Sequence, residues 1–228
     1  CPLIKIEPTY AHEALLTVLT RIDDIDIAIF VSTNAVTHGL GALRSQGQTL
    51  SELTQVFAVG ATTALMLQAA DIRVDGVPLG LSGANGLRAL PTFRHVSNRR
   101  VVVFRGNGGE SSLLEWLKNE GARVFVAETY RREMPIEINS AVIELCQQST
   151  IDVITLTSVT SVEHLFALLP DNTHRMLKNA TVVTLSQRIA RYCENQGFQG
   201  AILVADEASD QALVETIVQH CDIVRQGS

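Results

Sequence analysis

The sequence is poor in the features that mark metal, nucleic-acid or membrane proteins. Its 4 cysteines, Cys1, Cys146, Cys193 and Cys221, are scattered, with no Cys-x-x-Cys pair and no histidine at zinc-ligand spacing. Neither a metal site nor a disulfide framework is therefore indicated, and a reducing, cytoplasmic setting is expected. Lys and Arg total 18 against 24 for Asp and Glu. This balance argues against a general nucleic-acid binder, which needs a basic face to meet phosphate charge. No apolar stretch approaches the roughly 20 residues that span a bilayer. No charged-then-apolar leader opens the chain, so a soluble protein without a membrane partner is expected. Aromatic residues make up only 5%, which disfavours an all-β sandwich.

What the 228 residues do hold is 46% hydrophobic side chains, enough to bury a real core. Short apolar, β-branched runs alternate with longer segments of helical period. Strands are expected at Ile25 to Val31, Gln55 to Val59, Val101 to Arg105, Ala122 to Ala127, Asp152 to Thr157, Thr181 to Leu185 and Gly200 to Val204. Amphipathic helices are expected at Ala11 to Leu19, Asn34 to Arg44, Thr63 to Ala70, Ser112 to Glu120, Ile136 to Cys146, Ser161 to Leu168, Arg188 to Asn195 and Asp210 to Gln219. This βαβα alternation predicts an α/β fold with doubly wound parallel sheets. Gly121 and Gly197 each follow a helical segment, where a left-handed cap is wanted.

The chain also repeats itself at an offset of 126 residues: the run Asp26 to Val36 lies over Asp152 to Val162, and Ala58 to Ala64 lies over Thr184 to Ala190. Strand, polar turn and helix start recur in phase, which predicts two similar domains. The first copy continues to Val101-Val-Val-Phe-Arg105-Gly-Asn-Gly-Gly109, for which the second has no counterpart. A discontinuous arrangement follows, with Leu3 to Glu7 and Val124 to Thr129 as crossing segments that form a two-strand hinge beside an inter-domain cleft. The chain opens in what reads as the middle of a strand and without Met, so a longer protein is expected, with a first βα unit before residue 1.

In a parallel sheet, ligands bind beyond the carboxyl ends of strands, where helix N-termini present free N–H groups. The turns there are Ser32-Thr33-Asn34, Gly60-Ala61-Thr62-Thr63, Arg105-Gly106-Asn107-Gly108-Gly109, Thr157-Ser158 and Ser186-Gln187-Arg188. Each offers hydroxyl or amide groups, and none offers a carboxylate, Cys or His, which suits a ligand rich in acceptor oxygens. Each Ser or Thr taken alone is an ordinary N-cap. The glycine-rich turn has a phosphate-cradling look but lacks the Gly-Lys-Ser/Thr ending of a P-loop. Asp23, Asp24 and Asp26 precede their strand and read as a solvated turn. The six histidines share no spacing, and Trp116 reads as core packing. Tyr130, on the return crossing, is expected to face the cleft with a phenol able to donate or accept a proton.

Taken together, Phe30-Val-Ser-Thr-Asn-Ala-Val36, Phe57-Ala-Val-Gly-Ala-Thr-Thr-Ala64, Val103-Phe-Arg-Gly-Asn-Gly-Gly109, Tyr130-Arg131, Leu156-Thr-Ser158 and Ser186-Gln-Arg-Ile-Ala190 resemble the uroporphyrinogen-III synthase family across the chain. The resemblance implies an inserted domain over residues 8–128 and a second over 1–7 and 129–228. It also implies a cofactor-free and metal-free reaction. Hydroxymethylbilane, a linear tetrapyrrole with an acetate and a propionate on each ring, loses water while ring D is inverted through a spiro intermediate and the macrocycle closes. On this reading Tyr130 is the general acid, while Ser32, Asn34, Thr63, Arg105, Gly106, Ser158 and Ser186 hold substrate carboxylates in a monomeric enzyme. Two family features are missing. Ser186 and Ile189 stand where the family often has Gly-x-x-Thr, and no Thr-Arg-Pro-like turn ends an opening strand. The alternative from residues alone is a two-lobed binding protein for anionic solutes, with a nucleotide-dependent transferase disfavoured by the absent phosphate loop.

Overall fold

The computed structural model describes residues 1–78, 83–93, 95–108, 111–148 and 150–226. Among them the elements run β1 (Lys5–Pro8), α1 (Glu13–Leu19), β2 (Ile27–Phe30), α2 (Thr33–Ser45), β3 (Gln55–Ala58), α3 (Ala61–Ala69), α4 (Gly83–Ala89), β4 (Arg100–Gly106), α5 (Ser112–Asn119) and β5 (Arg123–Glu133). They continue with α6 (Ser140–Gln147), β6 (Val153–Leu156), α7 (Val159–Leu168), α8 (Asp171–Leu177), β7 (Thr181–Thr184), α9 (Gln187–Asn195), β8 (Ile202–Val204) and α10 (Asp210–Gln226). No helix among the described residues is long and apolar enough to cross a membrane.

The chain divides into two compact units, Ile6–Glu133 and Cys1–Lys5 with Met134–Ser228. In the first, the sheet order is β1-β5-β4-β2-β3, and β2 pairs in parallel with both β3 and β4, as β4 does with β5. All four residues of β2 are buried, the continuous apolar run required of a parallel strand covered on both faces. Ala28, Phe30, Phe104 and Ala127 pack under α1, α2 and α3, on the side of Leu15, Val36 and Leu67. Ile29, Phe57 and Val103 face the opposite way, against Leu87 of α4, Phe93 and Leu117 of α5. The sheet is thus doubly wound. Phe30 and Phe104 stack with centroids 4.6 Å apart, and truncating either to Ala should cost roughly 3–5 kcal/mol.

The second unit has the parallel order β6-β7-β8. Leu156 and Val182 pack with Cys146, Val162, Leu177 and Cys193 from α6, α7, α8 and α9. Val183 and Leu203 pack with Leu213 of α10 on the other face. Both units are therefore α/β, with parallel strands between helices.

The repeat seen in the sequence is present in the fold: β2 and β6 begin at residues 27 and 153, β3 and β7 at 55 and 181, an offset of 126 in both. Ser32 and Ser158 cap α2 and α7 through the same bond, Oγ accepting the N–H of Ala35 at 3.1 Å and of Ser161 at 3.0 Å. Gly121 and Gly197 take φ of +80° and +82°, the left-handed caps their positions predicted.

Several expectations shift. β5 does not stop at Ala127 but runs through six further polar and charged residues to Glu133, and the whole strand lies in the Ile6–Glu133 unit. The units therefore divide at 5/6 and 133/134, where the sequence suggested 7/8 and 128/129. α6 starts at Ser140 instead of Ile136, because Asn139 caps it and Pro135 lies upstream. α4 and α8 were not anticipated. Asp26 is not a solvated turn residue: its carboxylate accepts the Arg100 backbone N–H at 2.8 Å and Nε at 3.3 Å, pinning β4 to the start of β2. That guanidinium bond holds the Asp26 carboxyl below its ordinary range, against the opposing effect of partial burial.

Candidate active site

Register decides what meets at the carboxyl edge of the larger sheet. Phe30 lies opposite Phe104, so Ser32, two residues further on, stands beside Gly106. Arg105 pairs with Glu128, but Gly106 pairs with Tyr130, which leaves Thr129 as an extra residue in β5. The bulge is held on both sides: Thr129 Oγ1 donates to the Arg105 carbonyl at 3.4 Å, and Thr9 N–H donates to the Thr129 carbonyl at 3.1 Å. Its effect is to change the face on which the following side chains emerge. Tyr130 joins Phe125 and Ala127 in the core under α2, where unbroken alternation would have put it on the opposite side.

Tyr130 is consequently 0% exposed. Its Oη lies 3.0 Å from Ser32 Oγ and accepts a hydrogen bond from Arg132 Nη2 at 3.2 Å. The Arg132 guanidinium sits 5.4 Å from the phenol ring centroid, and the His38 ring lies 5.5 Å away at a tilt of 37°. His38 Nδ1 meets Tyr10 Oη at 3.3 Å. Burial lowers the pKa of His38, disfavouring the charged imidazolium, and raises that of Tyr10 against the field of Arg44. Asn107 locks the segment from the neighbouring turn. Its N–H donates to the Tyr130 carbonyl at 3.1 Å, and its Oδ1 accepts the Arg132 N–H at 2.8 Å. The glycine-rich turn thus serves as a clamp on β5; Gly109 lies outside the described residues.

Ser32, Arg105, Gly106, Tyr130 and Arg132 line a cavity of about 210 Å³, together with Ser112 and apolar side chains that include Val103 of β4 and Leu113 and Leu114 of α5. Among its described lining residues there are two guanidinium groups and no carboxylate. Pockets for whole drug-sized ligands measure roughly 300–1,000 Å³, so this one suits a single ring or acid arm of a larger molecule. A second hollow of about 460 Å³, between α1 and β5, shares Arg105 but carries the Glu128 carboxylate, which opposes an anion. Arg105 is 7% exposed, and its Nε donates to the Gly106 carbonyl at 3.2 Å.

Of the residues singled out in the sequence, the structure brings together Ser32, Arg105, Gly106 and Tyr130. Asn34, second residue of α2, and Thr63, third residue of α3 and 5% exposed, are not among the lining residues of that cavity. Ser158 and Ser186 cap α7 and α9 in the other unit. Arg132 was missed, although strand alternation after Tyr130 would have placed it on the tyrosine's face. Ser112, His38 and Tyr10 carried no recognisable signal.

The chain as a whole is similar to known proteins. Residues 1–215 match the family model described as uroporphyrinogen-III synthase HemD. The uroporphyrinogen-III synthases of Escherichia coli and Salmonella typhimurium are 27% and 28% identical to the chain. Each alignment covers 95% of the chain and 88% of the relative. In fold, the chain is similar to uroporphyrinogen-III synthetase from Helicobacter pylori, with TM-score 0.63, 17% identity and 95% and 90% of the two chains covered. It is similar also to a mutant uroporphyrinogen III synthase from Thermus thermophilus, with TM-score 0.59, 15% identity and coverage of 99% and 88%. The chain belongs to the uroporphyrinogen-III synthase family.

Proposed function

We propose that the chain is a uroporphyrinogen-III synthase, a cyclising lyase that converts hydroxymethylbilane to uroporphyrinogen III with inversion of ring D and loss of water. The observation that carries this reading is the family match over residues 1–215. Supporting it is a cavity whose described lining offers hydroxyls and two guanidinium groups, suited to an acid-bearing pyrrole ring. The solute-binding alternative is not favoured by the family match.

Within this proposal Tyr130 is the source of the proton that assists departure of the hydroxyl. Arg105 and the Gly106 backbone meet an acid arm in the cavity, while Ser32 stands between the phenol and the ligand. Asn34, Ser158 and Ser186, all at helix starts, hold further carboxylates through neutral donors and helix dipoles. Neutral donors suit a chain whose acidic residues outnumber its basic ones, 24 to 18. On this reading the protein is a cytoplasmic monomer that works without metal or coenzyme and without nucleic-acid or membrane partners. Holding the reactive intermediate in the pose that inverts ring D is the main catalytic contribution, because closure without inversion is the competing outcome. The test is to feed the purified protein with hydroxymethylbilane as it is generated and separate the product isomers. Isomer III is expected; isomer I alone would reject the proposal.

A further inference from the structure

The Tyr130 phenol is 0% exposed, and a polar group so buried is expected to lodge its proton with a protein acceptor. Among the described residues, two groups bond to Tyr130 Oη: Arg132 Nη2 at 3.2 Å and Ser32 Oγ at 3.0 Å. A guanidinium can only donate, so Arg132 occupies a lone pair of Oη. The phenolic O–H is thereby assigned to Ser32 Oγ. That oxygen also accepts the Ala35 N–H at 3.1 Å as the cap of α2. With both lone pairs engaged, Ser32 keeps its own O–H to donate, and Ser32 lines the cavity. The hydrogen bonds therefore run one way, from Arg132 through Tyr130 to Ser32 and on to whatever occupies the cavity.

We propose that Ser32 is the residue that delivers the proton to the departing hydroxyl, with Tyr130 as relay and Arg132 as positioning residue behind it. This inference rests on the synthase reading above. In the step, the hydroxymethyl C–O bond breaks with its electron pair on oxygen, which takes the Ser32 proton and leaves as water. The pyrrole nitrogen lone pair fills the vacated carbon as an azafulvenium. Ser32 is reprotonated by Tyr130, whose phenolate is held by the Arg132 cation. Ring closure later expels a proton from the pyrrole carbon that has formed the new bond, and this proton returns through Ser32 to Tyr130. One water is lost and no other reactant is consumed.

The test compares steady-state constants of the full chain and its variants on hydroxymethylbilane. Ser32→Asn keeps the helix cap but has no transferable proton. It should lose roughly ten- to a thousandfold in kcat with KM little moved, matching Tyr130→Phe. Ser32→Thr, which keeps both cap and hydroxyl, should recover most of that loss. Ser32→Asn combined with Tyr130→Phe should be no slower than the slower single variant, because both cut one relay. Arg132 is exposed, so Arg132→Met spares the fold; it should lower kcat in the native background and not in Tyr130→Phe. Native turnover in Ser32→Asn beside a slow Tyr130→Phe would overturn the relay while leaving the synthase reading intact. Multiplicative losses in the double variant, or an equal Arg132→Met effect in both backgrounds, would also overturn it. A native chain yielding isomer I alone would instead remove the reading on which the relay rests.

Discussion

Gly106 and Tyr130 face each other across the register shift between β4 and β5, with the phenol ring lying where a Cβ on residue 106 would have to go. The glycine is therefore a spatial requirement of the tyrosine. Gly106→Ala should push the ring off Ser32 and lower the unfolding free energy by roughly 1–3 kcal/mol, the usual cost of overpacking. Turnover should fall alongside, as it does for Tyr130→Phe. Urea unfolding and the isomer assay read the two effects; an alanine variant with native kcat would separate the tyrosine's position from its role.

His38 gives stability an acid-side slope. Burial lowers its folded pKa below the ordinary 6.5, so the unfolded chain binds the proton more readily. Its contribution is complete above about pH 6.5 and declines as the pH falls through that value. His38→Gln should flatten the dependence of melting temperature on pH between about 7 and 5. Parallel curves for the two proteins would contradict this.

Asp26 acts in a lower window. Its folded pKa is depressed below 3.8, first by the side-chain hydrogen bond from Arg100. The stabilisation is present above the unfolded pKa and is lost as pH falls through the folded one. Asp26→Asn should lower the urea midpoint at neutral pH by an amount corresponding to about 1 kcal/mol. The difference should close below about pH 4. A gap that persists in acid would assign the effect to packing instead of charge.

Cys193 is completely buried, and its thiol is pushed up to about 11, by desolvation first and by Glu194 second. Burial likewise raises the Cys146 thiol. Since the thiolate is the reactive form, both should resist iodoacetamide at pH 8 in the folded protein while the exposed Cys1 is modified. Mass spectrometry of the alkylated chain reads the pattern directly. Labelling of Cys193 at the rate of Cys1 would contradict the burial described here.

Most strands and helices were legible because their apolar periods differ, two against 3.6, and because Gly121 and Gly197 punctuate them. The tail of β5 was not. Glu128 to Glu133 carries the composition of a turn and is held extended by partners distant in the chain, Thr9 and Asn107. The site was legible in the same measure. Ser32 and Tyr130 could be singled out as chemistry at strand ends, but their contact depends on a one-residue bulge that no local pattern announces. Thr63 was misleading for a simpler reason: three residues past its cap, the helix has rotated the side chain into the interior.

The four strand-to-helix turns led by Ser32, Gly60, Ser158 and Ser186 share one extended backbone conformation, with φ between −168° and −154°. Three carry a serine whose oxygen closes the turn, and Gly60 holds the same path with no side chain at all. A bend that keeps its course when its own side chain is absent leaves that position free to drift. Substitution there can adjust reactivity or ligand preference one residue at a time, with the supporting framework inherited unchanged.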